Sequence, residues 1–407
     1  AAAAAPRARF GVLAAFALCT FNQGLQWLTY SSVDPDRVRA LLGPDRVSDA
    51  TIALLLNWGP IMGVAVFPAQ AYVVSWPGGF RLACALGSLL CLMASLLRLA
   101  PALLGLPAQQ SDAALAMAHV AQMLNAGAGA LCMGSTARLS ALWFPDGERT
   151  RATAAAIASN ALGTNVAFVL GPALGLRGMF ALSLALSLAS ASTLAWLPRH
   201  PADGGSVAAM GCARGLRRML RDARFATLVL SAGVVTGATT GWQSLFQTTL
   251  KGAFSEDTIG WLGFANGLAA NLGTMGMGQA SKRDRLGREA RLGVAALLAT
   301  VQLFAVARGY LGSAPWPAAG LGAVLVLAGL AYGAAQPLLY ELAAQLAGPT
   351  HEGTAVGLLV GLLNLACFVY VAVSPGASPR TLTVTLLVAL VLALAALAFA
   401  TRRRRCL

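Results

Sequence analysis

Charged residues are scarce in this chain. Asp, Glu, Lys and Arg make up 11% of its 407 residues, whereas 57% of the residues are hydrophobic. A soluble domain carries about a quarter charged residues on average, so the composition excludes a water-facing globule of this size. Most of the surface must therefore face lipid. The 44 glycines agree with this, since helices in lipid associate through small residues that let their backbones approach.

Acidic residues and histidines are scarcer still. The chain has 15 Asp and Glu against 29 Lys and Arg, giving a net charge of +14, and only three His. The basic residues lie between apolar segments and form no single patch, so we expect no nucleic-acid partner. The seven cysteines form no CxxC pair, and HExxH, P-loop and GxSxG motifs are missing. We therefore predict no metal, no cofactor and no enzyme activity, although a membrane-embedded enzyme remains a hypothesis to test.

Twelve apolar segments are long enough to cross a membrane, which takes about 20 residues. A polar, basic break at 198–224 divides the segments six and six. The sequence therefore predicts an all-α polytopic membrane protein with an N-terminal half at 1–197, a basic linker at 198–224, a C-terminal half at 225–400 and a basic tail at 401–407. The predicted segments are 8–32, 50–75, 79–100, 112–137, 150–172, 176–197, 225–250, 257–280, 290–310, 316–345, 353–373 and 379–400.

The basic residues also indicate the orientation. If both termini are cytosolic, 21 of the 29 Lys and Arg fall on the cytosolic side, as the positive-inside rule requires. The two halves look like copies, because Glu148 and Glu352 each follow a proline by three residues and Asn160 and Asn364 follow these acids by twelve. Duplicated halves of this kind frame a binding site near the middle of the membrane.

One loop motif points to a family. The loop after the eighth segment reads Asp284-Arg285-Leu286-Gly287-Arg288, which resembles the D-R-x-G-R signature of the major facilitator superfamily. The resemblance implies the twelve-helix major facilitator fold with two pseudo-symmetric halves. In that fold the motif latches the inner gate through an aspartate that takes arginine partners and helix-end dipoles. An ordinary basic loop is the alternative. The matching loop of the first half, Trp76 to Arg81, has no acid.

Further segments resemble solute carrier family 49, and within it the branch called disrupted in renal carcinoma protein 2. The resemblance is carried by Gln23 to Trp27, Ile52 to Pro60, Gln122 to Gly129, Trp143 to Arg149, Gly260 to Phe264, and Tyr340-Glu341 leading to His351-Glu352-Gly353. It implies a transporter of pyridoxine with protons across lysosomal membranes. The sister branch, the feline leukaemia virus subgroup C receptor-related proteins, implies a facilitative carrier of choline and ethanolamine instead.

Polar residues at membrane depth are the candidates for solute binding, because they are costly in lipid unless they face protein or water. Gln23, Trp27 and Tyr30 share one helix face, where an indole beside amides suits an aromatic ring or a cationic amine. Packing or a place in the outer aromatic belt is the alternative for Trp27. The predicted solute-binding set is Gln23, Trp27, Tyr30, Gln122, Asn125, Trp242, Gln243, Gln336 and Asn364.

Proton coupling requires a titratable group within the membrane. Glu341 is the acid placed furthest inside a segment, where loss of water favours its protonated form, and His119 is a second candidate. An ion pair between Glu341 and Arg138 at the inner gate is the alternative. We assign Arg138, Glu148 and Glu352 to that gate together with the signature loop.

The sequence thus predicts a monomeric, multi-pass secondary transporter of a small organic solute, an amine or a vitamin, moved with protons. A receptor or sensor on a transporter fold is a further hypothesis. Both a lysosomal or vacuolar membrane and the plasma membrane fit the sequence.

Overall fold

The chain forms two compact units, Ala1–Ala209 and Met210–Leu407. The computed structural model describes residues 6–103, 112–195, 221–281, 299, 317–347 and 352–401. Regular structure in this described part is helical. Each unit is considered by itself below.

The first unit contains six described helices. They are α1 (Pro6–Trp27), α2 (Pro35–Leu42), α3 (Asp49–Ser75), α4 (Gly79–Leu103), α5 (Asp112–Trp143) and α6 (Asp146–Ala195). Helix α6 carries two predicted segments and breaks at Gly175, whose φ of 62° is left-handed, a conformation that glycine adopts at little cost. Within the unit, α1 packs on α6, and α5 packs on both α3 and α4.

The second unit also contains six described helices. They are α7 (Ala223–Ser244), α8 (Phe246–Leu250), α9 (Glu256–Ser281), α10 (Ala318–Ala347), α11 (Glu352–Ala372) and α12 (Pro379–Thr401). Helix α7 packs on α11 and α12, and α9 packs on α10. The core around α7 is apolar, with Phe225, Leu228 and Leu359 almost wholly buried.

Eleven of the twelve predicted segments coincide with helices in the described part of the chain. Seven stretches of these helices are long and apolar enough to cross a membrane, judged by length and composition alone. The ninth predicted segment, 290–310, lies outside the described residues. Backbone groups in lipid must be satisfied within their own segment, so long apolar runs fold as helices.

The helices differ from the prediction after the first segment. The first was placed at 8–32, but α1 ends at Trp27, and the hydroxyls of Ser31 and Ser32 bond to carbonyl oxygens three residues back. The short helix α2, which the sequence did not predict, follows with Asp34 as N-cap and Pro35 in its first turn. Such capping fixes a helix start by supplying an acceptor to a free N–H.

Glycines set the closest helix contacts in both units. A β-carbon on Gly24 would collide with the carbonyl of Asn160, and one on Gly163 with the carbonyl of Phe21. These two glycines therefore let α1 and α6 cross backbone to backbone. In the second unit, a β-carbon on Gly237 would collide with the carbonyl of Leu363, which places α7 against α11 in the same way. Small residues at crossings are the usual device of membrane helices.

Candidate functional site

Gln23 lies at the centre of an amide cluster in the first unit. Its side chain is buried, and its Nε2 donates to the backbone oxygen of Asn125 on α5 at 3.3 Å. The Nδ2 of Asn160 on α6 donates to Gln23 Oε1 at 2.7 Å and to the backbone oxygen of Thr20 at 2.9 Å. The cluster therefore ties α1 to α5 and α6 through neutral groups.

Several buried amides leave one hydrogen-bonding atom unused. Among the described residues, the Nδ2 atoms of Asn125 and Asn165 have no acceptor, and the Oδ1 atoms of Asn22 and Asn57 have no donor. A buried polar atom without a partner costs about 1–3 kcal/mol. Such atoms are the ones that a water molecule or a polar solute would satisfy.

Trp27 is half-buried at the end of α1. Its indole Nε1 donates to the backbone oxygen of Leu56 on α3 at 3.3 Å. The ring lies against Gly59, where a β-carbon would collide with the indole nitrogen. The ring is thus held by its edge against α3, and its position depends on the missing side chain at Gly59.

Gln122 links α5 to three other helices and is 2% exposed. Its Nε2 donates to the backbone oxygens of Trp27 at 3.3 Å and Leu55 at 3.1 Å, and its Oε1 accepts a short bond from Arg98. Both amide hydrogens are therefore used inside the unit. These bonds hold the end of α1, where Trp27 lies, against α5.

Arg98 is a cation inside the first unit that the sequence analysis did not select. It lies near the end of α4, is 5% exposed, and its Nη1 donates to Gln26 Oε1 at 2.8 Å. The guanidinium also sits 5.9 Å from the centroid of the Tyr30 ring. Tyr30 itself is buried and meets Phe180 edge-on at 5.9 Å. A signal for Arg98 was present, because an arginine within an apolar segment is a functional hypothesis by default.

His119 on α5 faces Trp58 on α3. The Trp58 Nε1 donates to His119 Nδ1 at 3.0 Å, and the two rings meet edge-on. An indole N–H can donate only to an unprotonated ring nitrogen. The proton of neutral His119 is therefore assigned to Nε2, and protonation of Nδ1 would remove this contact between α3 and α5.

Three predicted gate residues, Arg138, Glu148 and Glu352, lie on described helices. Arg9 at the start of α1 forms an ion pair of 3.2 Å with Glu148 at the start of α6, and the Arg9 guanidinium also lies 5.7 Å from the Phe144 ring. Arg138 is half-buried on α5. Glu352 begins α11, but its side chain is outside the described set, as are Asp284, Arg285, Gly287 and Arg288.

Two predicted site residues of the second unit lie on α7. The Nε2 of Gln243 donates to Asn266 Oδ1 on α9 at 2.8 Å, and the Nδ2 of Asn266 donates to the backbone oxygen of Leu325 on α10 at 2.7 Å. This chain of amides joins three helices. Trp242 is 1% exposed and meets Phe246 edge-on at 4.9 Å, so its ring packs inside the unit.

The other predicted residues of the second unit lie on α10 and α11. Gln336 and Glu341 are half-buried on either side of Pro337. Proline cannot donate to the carbonyl four residues before it, and that carbonyl, of Gly333, instead accepts from the Thr274 hydroxyl at 2.9 Å.

Asn364 is half-buried near the middle of α11. Its Nδ2 donates to the backbone oxygen of Val360, four residues earlier in the same helix, at 2.9 Å. A bond to its own helix does not tie the side chain to a neighbouring helix.

The helical architecture and the polar clusters within each half can be compared with known proteins. The model of the Major Facilitator Superfamily matches residues 93–371. The chain belongs to this superfamily. The predicted fold is therefore confirmed, and the chain is a multi-pass membrane transporter and not an enzyme.

Individual relatives agree with this assignment. The chain is 26% identical over 390 residues to the solute carrier family 49 member 4 homolog of Xenopus laevis, covering 88% of this chain and 82% of that protein. It is 28% identical over 284 residues to the homolog of Xenopus tropicalis, covering 63% and 60%. The predicted resemblance to solute carrier family 49 is thus confirmed.

Solved structures share the fold. The xylose transporter XylE of E. coli in a partially occluded inward-open conformation matches with a TM-score of 0.73 at 14% identity, covering 98% of this chain and 99% of that one. A bacterial homolog of the human lysosomal transporter Spinster matches with a TM-score of 0.67 at 16% identity, covering 98% and 96%. Likeness at this level of identity concerns the fold alone.

Proposed function

We propose that the chain is a proton-coupled carrier of a small, pyridoxine-like solute. Transport of a small solute follows from the superfamily; the solute and the proton are proposals. The observations that carry the proposal are the bonds from Gln23 and Trp27 on α1 to α5 and α3, and the buried amides of the same unit that have unused hydrogen-bonding capacity. The resemblance to the disrupted in renal carcinoma protein 2 branch supplies the solute class.

The chemistry of these groups suits a polar aromatic solute. Trp27 is half-buried, and an indole ring can stack on another ring, an interaction worth about 0.5–1.5 kcal/mol. Asn125 offers an unused donor and Asn57 an unused acceptor. A heteroaromatic ring with hydroxyl groups would satisfy both kinds of atom.

We propose Glu341 as the group that carries the proton. It is half-buried on α10, one turn after Pro337, where a proline leaves the helix with one hydrogen bond fewer. Acidic side chains within membrane-spanning helices are the usual members of proton relays. His119 ranks second as the proton carrier, because its Nδ1 already accepts a hydrogen bond from Trp58.

The decisive experiment measures uptake of pyridoxine, choline and ethanolamine into proteoliposomes, each with and without an inward proton gradient. We expect gradient-driven pyridoxine uptake, and its loss in Trp27→Ala. Trp261→Ala is the matched control, since Trp261 is 59% exposed on α9. Normal pyridoxine uptake by correctly inserted Trp27→Ala would remove Trp27 from the site.

Glu341→Gln tests the coupling group, because glutamine resembles the protonated acid in shape. We expect the variant to lose the pH dependence of uptake. Asp112→Asn, at an exposed acid paired with Arg46, should keep it. Full uptake with wild-type pH dependence in Glu341→Gln would assign the proton elsewhere.

A facilitative carrier of choline or ethanolamine is the second candidate. The half-buried indole of Trp27 favours it, because a quaternary amine binds over an aromatic face by cation–π attraction. Choline uptake that ignores the proton gradient would select this function. Solute binding without uptake would instead indicate a receptor or sensor.

We propose that both termini are cytosolic, on the strength of the basic residues in the predicted cytosolic segments. A cysteine tag placed after Leu407 should resist membrane-impermeant thiol reagents in sealed cells and react after permeabilisation. Reaction in sealed cells would reverse the orientation.

A further inference from the structure

Arg98 is a buried charge whose described partners are all neutral. Its Nη1 donates to Gln26 Oε1, and its Nη2 donates to the Gln26 backbone oxygen at 3.3 Å and to Gln122 Oε1. Its Nε has no acceptor among the described residues. Neutral acceptors do not cancel the charge, and a buried charge is normally paired with an opposite one.

The acids whose side chains the structure describes in the first unit are engaged elsewhere or exposed. Among the described residues, Asp36 and Asp49 pair with Arg39, Asp112 pairs with Arg46, and Glu148 pairs with Arg9. Asp34 accepts from the first turn of α2, and Asp45 is exposed. The described part of this unit therefore shows no ion pair between Arg98 and a carboxylate.

A cavity of about 30 Å³ borders Arg98. Its lining includes the buried Tyr30, Ala118 and Phe180, as well as Leu41 and Leu42 of α2 and the exposed Arg177. A water-sized group needs roughly 10–15 Å³ measured in this way, so the cavity holds one or two such groups. Two arginines and no acid line it.

We propose that this cavity is an anion site, in which a chloride-sized ion or a single carboxylate accepts a hydrogen bond from Arg98. The anion comes either from solution or from the solute as an acidic substituent. Charge-assisted bonds to a guanidinium are among the stronger hydrogen bonds, and Leu41 and Leu42 of α2 contribute to the lining of the cavity. The inference is independent of the solute proposed above.

Chloride binding to the purified full-length protein in nanodiscs tests the proposal. A ligand that binds the folded state raises the unfolding temperature as its concentration increases. We expect sodium chloride to raise it above the value in sodium gluconate at equal ionic strength, because gluconate is too large for the cavity. Arg98→Gln should weaken the apparent chloride affinity by roughly tenfold to hundredfold.

Two variants control for other effects. Arg39→Gln removes an arginine that already has acidic partners and should leave the chloride effect unchanged. Ala118→Val narrows the cavity while Arg98 stays in place, so it should abolish the effect even if Arg98→Gln does not fold. Broadening of the ³⁵Cl NMR signal by the wild-type protein measures binding without any variant.

A second arm separates the two sources of the anion. If chloride has no effect but 4-pyridoxate stabilises the wild-type protein and neutral pyridoxine does not, the anion belongs to the solute. Both results support the site when they are lost in Arg98→Gln or Ala118→Val. Equal responses of the wild type and these variants, or no response to chloride or 4-pyridoxate, would overturn it.

Discussion

Gly59→Ala tests whether the position of the Trp27 ring matters for solute recognition. A β-carbon at Gly59 would collide with the indole nitrogen and with two carbons of the same ring. The ring must then move away from α3 and stretch or lose its 3.3 Å bond to Leu56. The substitution therefore displaces the ring without changing its chemistry.

The magnitude follows from the interactions that the displaced ring loses. A hydrogen bond contributes about 0.5–1.5 kcal/mol net, and a well-placed aromatic stack a similar amount. Part of each is lost on displacement, so we expect about 1–2 kcal/mol, or a roughly fivefold to thirtyfold higher KM. The turnover number should change less, because the proton-carrying group we propose lies in the other unit.

The assay is the concentration dependence of uptake into proteoliposomes, using the solute that the wild type transports. Gly127→Ala is the matched control: it lies in α5 of the same unit, and a β-carbon there meets Leu90 at an ordinary 3.7 Å. It should keep the wild-type KM and gain up to about 1 kcal/mol of helix stability. In a Trp27→Ala background, Gly59→Ala should lower the residual uptake no further, since the two changes act on one contact. An unchanged KM in well-folded Gly59→Ala would refute the reasoning.

Three further predictions concern contacts within single units. Asn160→Leu removes two hydrogen bonds and strands their acceptors, so thermal unfolding of the purified protein should show a loss of about 1–3 kcal/mol; wild-type stability would mean that water replaces the amide. A double-mutant cycle on Arg9→Gln and Glu148→Gln should give a coupling below about 1 kcal/mol that falls with added salt, because the side chains are 21% and 41% exposed and such pairs are weak. A larger coupling that ignores salt would contradict this. Thr274→Val should destabilise the protein by about 1 kcal/mol, because it removes the hydroxyl that donates to the carbonyl left free by the proline in α10. Thr385→Val is the control and should be neutral, since Thr385 is exposed on α12 and bonds to its own helix.

Helix positions were predictable from the sequence to within a few residues over most of the described chain. The fourth predicted segment, 112–137, and helix α5, Asp112–Trp143, begin at the same residue. Hydropathy is sufficient here because a chain in lipid must satisfy each backbone group locally. Hydropathy did not predict α2, because the start of this helix depends on an N-cap and a proline and not on length or apolarity.

The neighbours of the site residues were less predictable. Periodicity correctly placed Gln23 and Trp27 a turn apart on α1, yet they bond to different helices, α5 and α3. Gln122 was predicted to contact solute, which stays a prediction; its spacing did not reveal that its amide hydrogens bond to the backbone oxygens of Trp27 and Leu55. A side chain's face follows from spacing along one helix, but its partner depends on which helix packs against that face.

Arg98 shows most clearly which features follow from the sequence and which depend on how the helices pack. The sequence alone determined that the chain is a bundle of membrane helices, because backbone hydrogen bonding in lipid is a local requirement that apolar length reveals. It also placed an arginine near the end of the third segment. From the sequence alone, this side chain could equally lie in the outer loop or at the membrane surface. Only the tertiary structure decided that this guanidinium turns inward to Gln26 and Gln122. The reason is physical: burial of a charge depends on acceptors brought from other helices, and these are distant in the sequence.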